Sequence, residues 1–255
     1  MVGSVLLIMI LGQGAGSEKP LYASSVVGTD FDFIRESDPS VWERVTFLKQ
    51  GAAEMPDKTA KAELFQEAFQ YEGVFRDQVK VHFAVHSKIG SEVEAKRFVE
   101  LAAVRLGRIP HILRKGVERV VINVGDATAF SDRGLIVLYT ENMLKRIGSK
   151  DLEETTFHES VHATWDTEHA KSAGWKSAQA SDPGFVTDYA KRLPDGEDLA
   201  ESALFAVTMV HHPDRLPKEV IDRLSRQIPA RIAYIEKLFP KSASWHGSAT
   251  FSRPQ

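Results

Sequence analysis

The feature that most constrains this chain is the pattern HExxH, formed by His158, Glu159 and His162. Four residues advance an α-helix by about 400°, so His158 and His162 project from one face and both imidazoles can bind one metal ion. Glu159 lies beside that face, where it reaches a water molecule bound to the ion. The pattern therefore predicts a helix with two metal ligands and a general base. The simpler alternative is a solvated helix with two surface histidines.

Composition restricts what such a site can contain. The chain has 255 residues and no cysteine, which excludes disulfide scaffolds, thiolate zinc fingers, iron–sulfur clusters held by cysteine and cysteine nucleophiles. Any metal site must therefore use His, Asp or Glu. A formal net charge of −3 gives no electrostatic reason to expect nucleic acid as a partner, and 43% hydrophobic residues is typical of a soluble globular protein.

Two glutamates further along the chain are candidates for a third ligand. A catalytic zinc ion needs three protein ligands and one open coordination position. Glu197 and Glu201 begin a second predicted helix, 35 and 39 residues after His162. Because they are four residues apart, they share one helix face, and one can bind the metal while the other accepts a hydrogen bond from a ligand imidazole. The spacing alone allows either assignment.

The two motifs in this order resemble those of the gluzincin metallopeptidases. The match is closer to one branch, which contains the catalytic domain of anthrax lethal factor and the Pro-Pro endopeptidases. Members of that branch carry a tyrosine shortly before a helix of the form Glu, two mostly apolar or aromatic residues, Ala, Glu, then Ala or Ser. Here Tyr189 precedes residues 197–202, which read Glu-Asp-Leu-Ala-Glu-Ser. The resemblance covers about residues 155–217, roughly a quarter of the chain.

The resemblance implies a role for each matched residue. It implies three ligands for one Zn²⁺ ion per chain: His158, His162 and Glu197. It makes Glu159 the general base, Glu201 a hydrogen-bond partner of the ligands, and Tyr189 the group whose hydroxyl stabilises the oxyanion. The interval between Tyr189 and Glu197 is one residue longer than in lethal factor, and residues 198–199 are Asp and Leu where lethal factor has aromatics.

The function implied by the resemblance is that of a zinc-dependent endopeptidase. Water activated by Glu159 would hydrolyse a peptide bond of a peptide or protein substrate. Two alternatives remain: an inactive zincin-like metal-binding module that recognises a protein partner, and a domain in which HExxH is coincidental. Cleavage specificity depends on cleft loops outside the matched region, so neither the substrate nor the oligomeric state follows.

Predicted secondary structure places these motifs in an α+β fold, with strands before a helical half. Helix formers dominate residues 38–71, where we expect two short helices. Alternating and apolar patterns predict strands over residues 78–85, 117–124 and 134–139. Helical spacing predicts helices over residues 91–106, 151–165, 197–210 and 219–238, the first capped by Ser91 and Glu94 and the last bent at Pro229.

These elements define the expected domain organisation. We expect one zincin-like catalytic domain over residues 25–240, with a small sheet packed on the HExxH helix, and a tail over residues 241–255. Residues 5–11 are continuously apolar and are followed by Gly14 and Gly16, a pattern that resembles a secretory signal over residues 1–16. We therefore expect export, although no basic residue precedes the run. The alternative is a cytoplasmic protein with a buried N-terminal strand. The run is too short to span a bilayer, so we expect no stable membrane insertion.

Other chemically active side chains have simpler interpretations. His82 and His86 share one face of a predicted strand, but no carboxylate-rich motif is near, so we interpret them as ordinary strand histidines. We interpret three more as surface residues near helix ends: His169, His211 and His212. Asp166, four residues after His162, is a candidate to orient the helix end or a histidine.

Overall fold

The computed structural model describes residues 18–59 and 64–249. Their strands are β1 (Trp42–Glu54), β2 (Phe65–Phe75), β3 (Lys80–His86), β4 (Arg119–Asn123), β5 (Phe130–Asp132) and β6 (Leu135–Tyr139). Their helices are α1 (Glu92–Leu106), α2 (His111–Arg114), α3 (Thr140–Ser149), α4 (Leu152–Trp165), α5 (Ala173–Ser181), α6 (Asp188–Arg192), α7 (Asp198–His211), α8 (Lys218–Gln227) and α9 (Pro229–Leu238). This mixed architecture agrees with the predicted α+β class. The predicted signal segment, residues 1–16, lies outside the described residues, as do residues 250–255 of the predicted tail.

The six strands form one mixed sheet in the order β1-β2-β3-β4-β6-β5. Strands β1, β2 and β3 pair antiparallel, β3, β4 and β6 pair parallel, and the short β5 pairs antiparallel with β6 at the edge. Helix α1 makes the crossover between the parallel strands β3 and β4. The three predicted strands are confirmed as β3, β4 and β6. The sheet edge formed by β5 faces the helix that carries HExxH, because β5 packs on α4.

The prediction of two helices over residues 38–71 is wrong, because this segment contains the long strands β1 and β2. One face of β2 carries aromatic side chains that enter the main core, at Phe69, Tyr71 and Phe75. Gly73 continues that face, where an added Cβ would lie 2.5 Å from the ring of Phe83. Burial of aromatic side chains on a pleated surface outweighs the weak preference of Glu, Lys and Ala for helix.

The predicted helix boundaries hold where a capping residue or a proline defines them. Helix α1 begins after Ser91, whose side chain accepts a hydrogen bond from the N–H of Glu94 at 3.2 Å. The helix predicted over residues 219–238 consists of α8 and α9, which meet at Ile228 before Pro229. A residue before proline is disfavoured in the helical conformation, and Ile228 has φ −136°. The bend expected at Pro229 is therefore a break.

Helix α4 packs against α1, α3 and α7 and against strands β5 and β6. Nearly all of its residues are buried. Several of its hydroxyl groups are satisfied on the helix itself, because Thr156, Ser160 and Thr164 each donate a hydrogen bond at 2.7 Å to the carbonyl oxygen four residues earlier. Packing on several sides fixes the directions in which α4 presents its histidines. Within residues 18–59 and 64–249, no helix combines the length and apolar character that a membrane crossing needs.

Candidate metal centre

The HExxH residues lie in the middle of α4, as the sequence predicts, and the two imidazoles face each other. The ring centroids of His158 and His162 are 4.8 Å apart, and their Nε2 atoms are 3.1 Å apart. Two ring nitrogens at this distance point toward one location. The helical spacing therefore brings both potential ligand atoms together.

Glu197 completes the cluster from the start of α7. Its Oε2 lies 3.2 Å from Nε2 of His158 and 3.2 Å from Nε2 of His162. The adjacent Asp198 is buried and accepts a hydrogen bond at 2.8 Å from Arg231, which also pairs with Asp182 at 3.0 Å. This buried ion-pair network anchors the first turn of α7 and so fixes the position of Glu197. Sequence reasoning did not find the role of Asp198.

The three donor atoms have the chemistry and spacing of a metal site. His158, His162 and Glu197 offer two imidazole nitrogens and one carboxylate oxygen, separated by 3.1 to 3.2 Å. Donors bound tetrahedrally to one ion at about 2.0–2.1 Å lie about 3.3 Å apart, so the cluster needs little rearrangement to bind a divalent ion. The cluster could hold a metal ion.

Each histidine of the cluster faces a carboxylate on its far side. Nδ1 of His162 lies 2.7 Å from Oδ2 of Asp166, which the π-helical turn after α4 places one turn further along. Nδ1 of His158 lies 3.5 Å from Oε1 of Glu201. Carboxylates behind ligand histidines fix the ring orientation and direct the Nε2 lone pair toward the metal. Glu197 and Glu201 therefore occupy different positions, with Glu197 facing the Nε2 atoms and Glu201 facing Nδ1.

Opposite charges attract the histidines and carboxylates of the cluster to one another. Burial by itself lowers the pKa of His162, but the carboxylates of Asp166 and Glu197 outweigh burial and raise that pKa to about 10. Burial opposes ionisation of Glu197, yet hydrogen bonds from His158 and His162 hold its pKa well below the usual range. A metal ion that binds here replaces a proton on the imidazole pair, so metal binding releases protons.

Glu159 lies on the cleft wall beside the cluster. Its Oε2 accepts a hydrogen bond from the hydroxyl of Ser131 in the edge strand β5. Glu159 is 8% exposed and lines the same cleft as His158 and His162. Ser131 orients the carboxylate, a contact that sequence reasoning did not predict because the two residues belong to different elements.

Tyr189 lies in the short helix α6, on the same cleft. Burial, and next the negative charge of Glu197, raise the pKa of its phenol to about 12, so the hydroxyl keeps its proton at neutral pH. A protonated phenol can donate a hydrogen bond to a developing negative charge. The longer interval between Tyr189 and Glu197 does not move the tyrosine out of the cleft.

The cleft has a volume of about 540 Å³ and brings together the predicted site residues. All six line it: His158, Glu159, His162, Tyr189, Glu197 and Glu201. Its other walls come from β5, from α3, from Lys58 after β1 and from the N-terminal residues Ser24, Val26 and Val27. A volume of this size falls within the range that is usual for ligand-binding clefts.

The histidines set aside by sequence reasoning lie elsewhere. His82 and His86 lie on β3 and do not line the cleft. His211 and His212 are not simple surface residues, because the ring of His211 stacks on Phe239 at 4.0 Å and that of His212 lies 4.7 Å from Trp245. These apolar contacts partly bury both imidazoles and give them a packing role.

Comparisons of this chain with protein-family models, with curated proteins and with solved structures give no match. The residues of the cleft are therefore the features of the molecule that indicate a function.

Proposed function

We propose that this chain is a zinc-dependent endopeptidase with a zincin-like fold, as its resemblance to gluzincins implies. The observation that carries the proposal is the cluster of His158, His162 and Glu197 in an open cleft beside Glu159. A metal ligand set of this kind beside a carboxylate that is not a ligand is suited to hydrolysis, because the bound metal ion would polarise the substrate carbonyl while the carboxylate transfers a proton. A peptide or protein is the proposed substrate.

Zinc is the proposed metal, with one ion per chain. Two imidazole nitrogens and one carboxylate oxygen form the ligand set of several catalytic zinc sites, in which the fourth position stays open for water or substrate. Hard cations such as Mg²⁺ and Ca²⁺ prefer oxygen ligands, so a site with two nitrogens favours a transition metal. The chain contains no cysteine, and this ligand set needs none.

The residues of the cleft divide the reaction between them. His158, His162 and Glu197 would hold the Zn²⁺ ion, which would act as a Lewis acid that lowers the pKa of water and polarises the substrate carbonyl. Glu159, oriented by Ser131, accepts a proton from the attacking water and transfers it to the departing amine. Tyr189 donates a hydrogen bond to the carbonyl oxygen as negative charge develops there, because its phenol remains protonated at neutral pH.

Replacement of the proposed base tests this function. Glu159→Gln removes the proton acceptor but none of the metal ligands, so we expect kcat to fall by about 10³-fold while one zinc ion per chain is retained. Cleavage of a proteome-derived peptide library by mass spectrometry and zinc content by elemental analysis measure the two effects. Glu168→Gln is the matched control, because Glu168 is an exposed carboxylate in the turn after α4.

Two outcomes would contradict the proposal. If the wild-type protein binds zinc but cleaves no peptide in the library, the chain is an inactive metal-binding module. If Glu159→Gln cleaves peptides as fast as the wild type, Glu159 is not the base and the proposed reaction is wrong.

A further inference from the structure

Residues 21–26, called here the N-terminal strap, run along the cleft wall between α6 and α7. The N–H of Asp188 donates a hydrogen bond at 2.9 Å to the carbonyl oxygen of Tyr22. The N–H of Tyr189 donates one at 3.0 Å to the carbonyl oxygen of Ala23. The backbone of the N-terminal strap thus holds the first turn of α6, from which Tyr189 enters the cleft.

The next two residues of the strap bind Glu201. The N–H of Ser25 donates a hydrogen bond at 2.6 Å to Oε2 of Glu201, and the hydroxyl of Ser25 donates one at 3.1 Å to Oε1. The hydroxyl of Ser24 donates a third, also at 3.1 Å, to Oε1. Ser25 and Glu201 are both 0% exposed. Three donors on one buried carboxyl group leave it a single orientation, since any other rotamer loses hydrogen bonds that water cannot replace.

The orientation of Glu201 matters because it faces a proposed ligand. Oε1 of Glu201 lies 3.5 Å from Nδ1 of His158. That nitrogen is buried and makes no closer hydrogen bond within the described residues. The Nε2 atom of the same rigid ring lies 3.2 Å from Glu197. A shift of Glu201 therefore changes the direction of the atom that would bind the metal.

The strap is also held independently of its serine hydroxyls. The ring of Tyr22 stacks on that of Phe205 in α7, with centroids 5.7 Å apart and an angle of 20° between planes. The backbone bonds to α6 do not involve serine side chains. Loss of one serine hydroxyl should therefore leave the strap in place but remove one of the hydrogen bonds that orient Glu201.

We propose that the N-terminal strap is part of the metal centre, and that Ser25 is a positioning residue that fixes Glu201 behind His158. The proposal rests on the metal site of the proposed function but not on the reaction catalysed there. Ser25 would affect metal binding indirectly, because it holds Glu201, which in turn faces the proposed ligand His158. The residue is 133 positions before His158 in the sequence, so the centre depends on the N-terminal part of the chain as well as on the two helices.

The test is Ser25→Ala in the full chain, with zinc affinity measured by competition with a chromophoric chelator. Loss of a group behind a ligand histidine typically weakens metal binding 10- to 100-fold, and we expect about 10-fold here because two donors to Glu201 remain. The absorption spectrum of the Co²⁺-substituted protein should also change, since it reports ligand geometry. Ser40→Ala is the matched control, because the hydroxyl of Ser40 donates a hydrogen bond at 2.8 Å to Val104, which does not line the cleft.

A purely structural strap gives a different result. Ser25→Ala would then lower the thermal midpoint yet keep the wild-type zinc affinity and cobalt spectrum, which overturns the proposal. Ser24→Ala, at a partly exposed position, should weaken zinc binding less than Ser25→Ala but in the same direction, and it decides the matter if Ser25→Ala does not fold. Weakened zinc binding in a protein that cleaves no peptide supports the strap and contradicts only the peptidase function. A wild type without zinc affinity contradicts both.

Discussion

Two pairs of histidines in this chain have the same four-residue spacing but very different surroundings. His158 and His162 lie one turn apart on α4, where their Nε2 atoms come within 3.1 Å. His82 and His86 lie on β3, where four residues extend the chain by about 13 Å, so the two rings cannot bind one ion. The secondary structure therefore determines whether two histidines four residues apart can bind the same ion.

The charges around the two pairs also differ in sign. Carboxylates surround the pair on α4, where Glu197, Asp166 and Glu201 approach ring nitrogens. On β3, burial and then the positive charges of Arg119 and Lys49 lower the pKa of His82. Burial and then Lys88 lower that of His86. The charge of Asp57 opposes this shift at His86 but is the smallest of the three contributions. The α4 pair therefore has the carboxylate surroundings that favour a bound cation, and the β3 pair lies among positive charges.

The largest expected effect is loss of metal on replacing either histidine of the α4 pair. His158→Ala or His162→Ala removes one of three ligands, so we expect zinc affinity to fall by roughly 10³-fold and the purified protein to lose its zinc. His82→Ala and His86→Ala are matched controls with the same substitution, and both should retain one zinc ion per chain. Elemental analysis and chelator competition measure these effects. Equal loss of zinc in all four variants would contradict the distinction between the pairs.

The α4 pair could be predicted because its information is local. Each of its signals lies in or at the start of one helix, where spacing determines which side chains share a face. These signals are HExxH in α4, and in α7 the apolar residues between Leu199 and Val207 and the four-residue interval between Glu197 and Glu201. The distinction between Glu197 and Glu201 needed the structure, because it depends on which ring nitrogen each carboxyl group faces. The resemblance to the gluzincins implies the same assignment, with Glu197 as the ligand and Glu201 behind a histidine.

Long-range contacts were beyond sequence reasoning. The bond from Ser25 to Glu201 spans 176 residues, and that from Ser131 to Glu159 spans 28, and no periodic pattern marks either. The wrong prediction of helices over residues 38–71 has a different cause, since the sequence there does contain a strand pattern. Aromatic residues at Phe69, Tyr71 and Phe75 follow the period of a strand, but the many helix formers around them concealed it.

A smaller effect is expected from the carboxylate behind His162. Asp166→Asn keeps the shape of the side chain but removes the charge that lies 2.7 Å from Nδ1, so the imidazole is oriented less strongly and zinc affinity should fall about 10-fold. On β3, burial and Lys88 outweigh the charge of Asp57 on His86, so removal of a dominant carboxylate makes the α4 pair more like the β3 pair. Chelator competition measures the affinity.

A control on the same turn separates orientation from general charge. Glu168 is exposed and lies 4.0 Å from His169, so Glu168→Gln removes the same charge without touching the cluster. Equal weakening of zinc binding in Asp166→Asn and Glu168→Gln would mean that net negative charge, rather than the contact with His162, supports the site.

The smallest expected effect is a change in how the free energy of unfolding depends on pH when a histidine of the β3 pair is replaced. Because burial lowers the pKa of His82 and His86 in the folded state below the ordinary value of about 6.5, the unfolded chain binds protons more readily. Their neutral forms contribute stability above pH 6.5, and this contribution is lost as the pH falls through the folded-state pKa. In the metal-free protein, His82→Asn and His86→Asn should therefore lose less stability than the wild type between pH 6.5 and 5. Urea denaturation at each pH measures the unfolding free energy, with the difference at pH 8 as the reference. If that difference stays constant down to pH 5, the β3 pair does not resist protonation, and its contrast with the α4 pair is geometric alone.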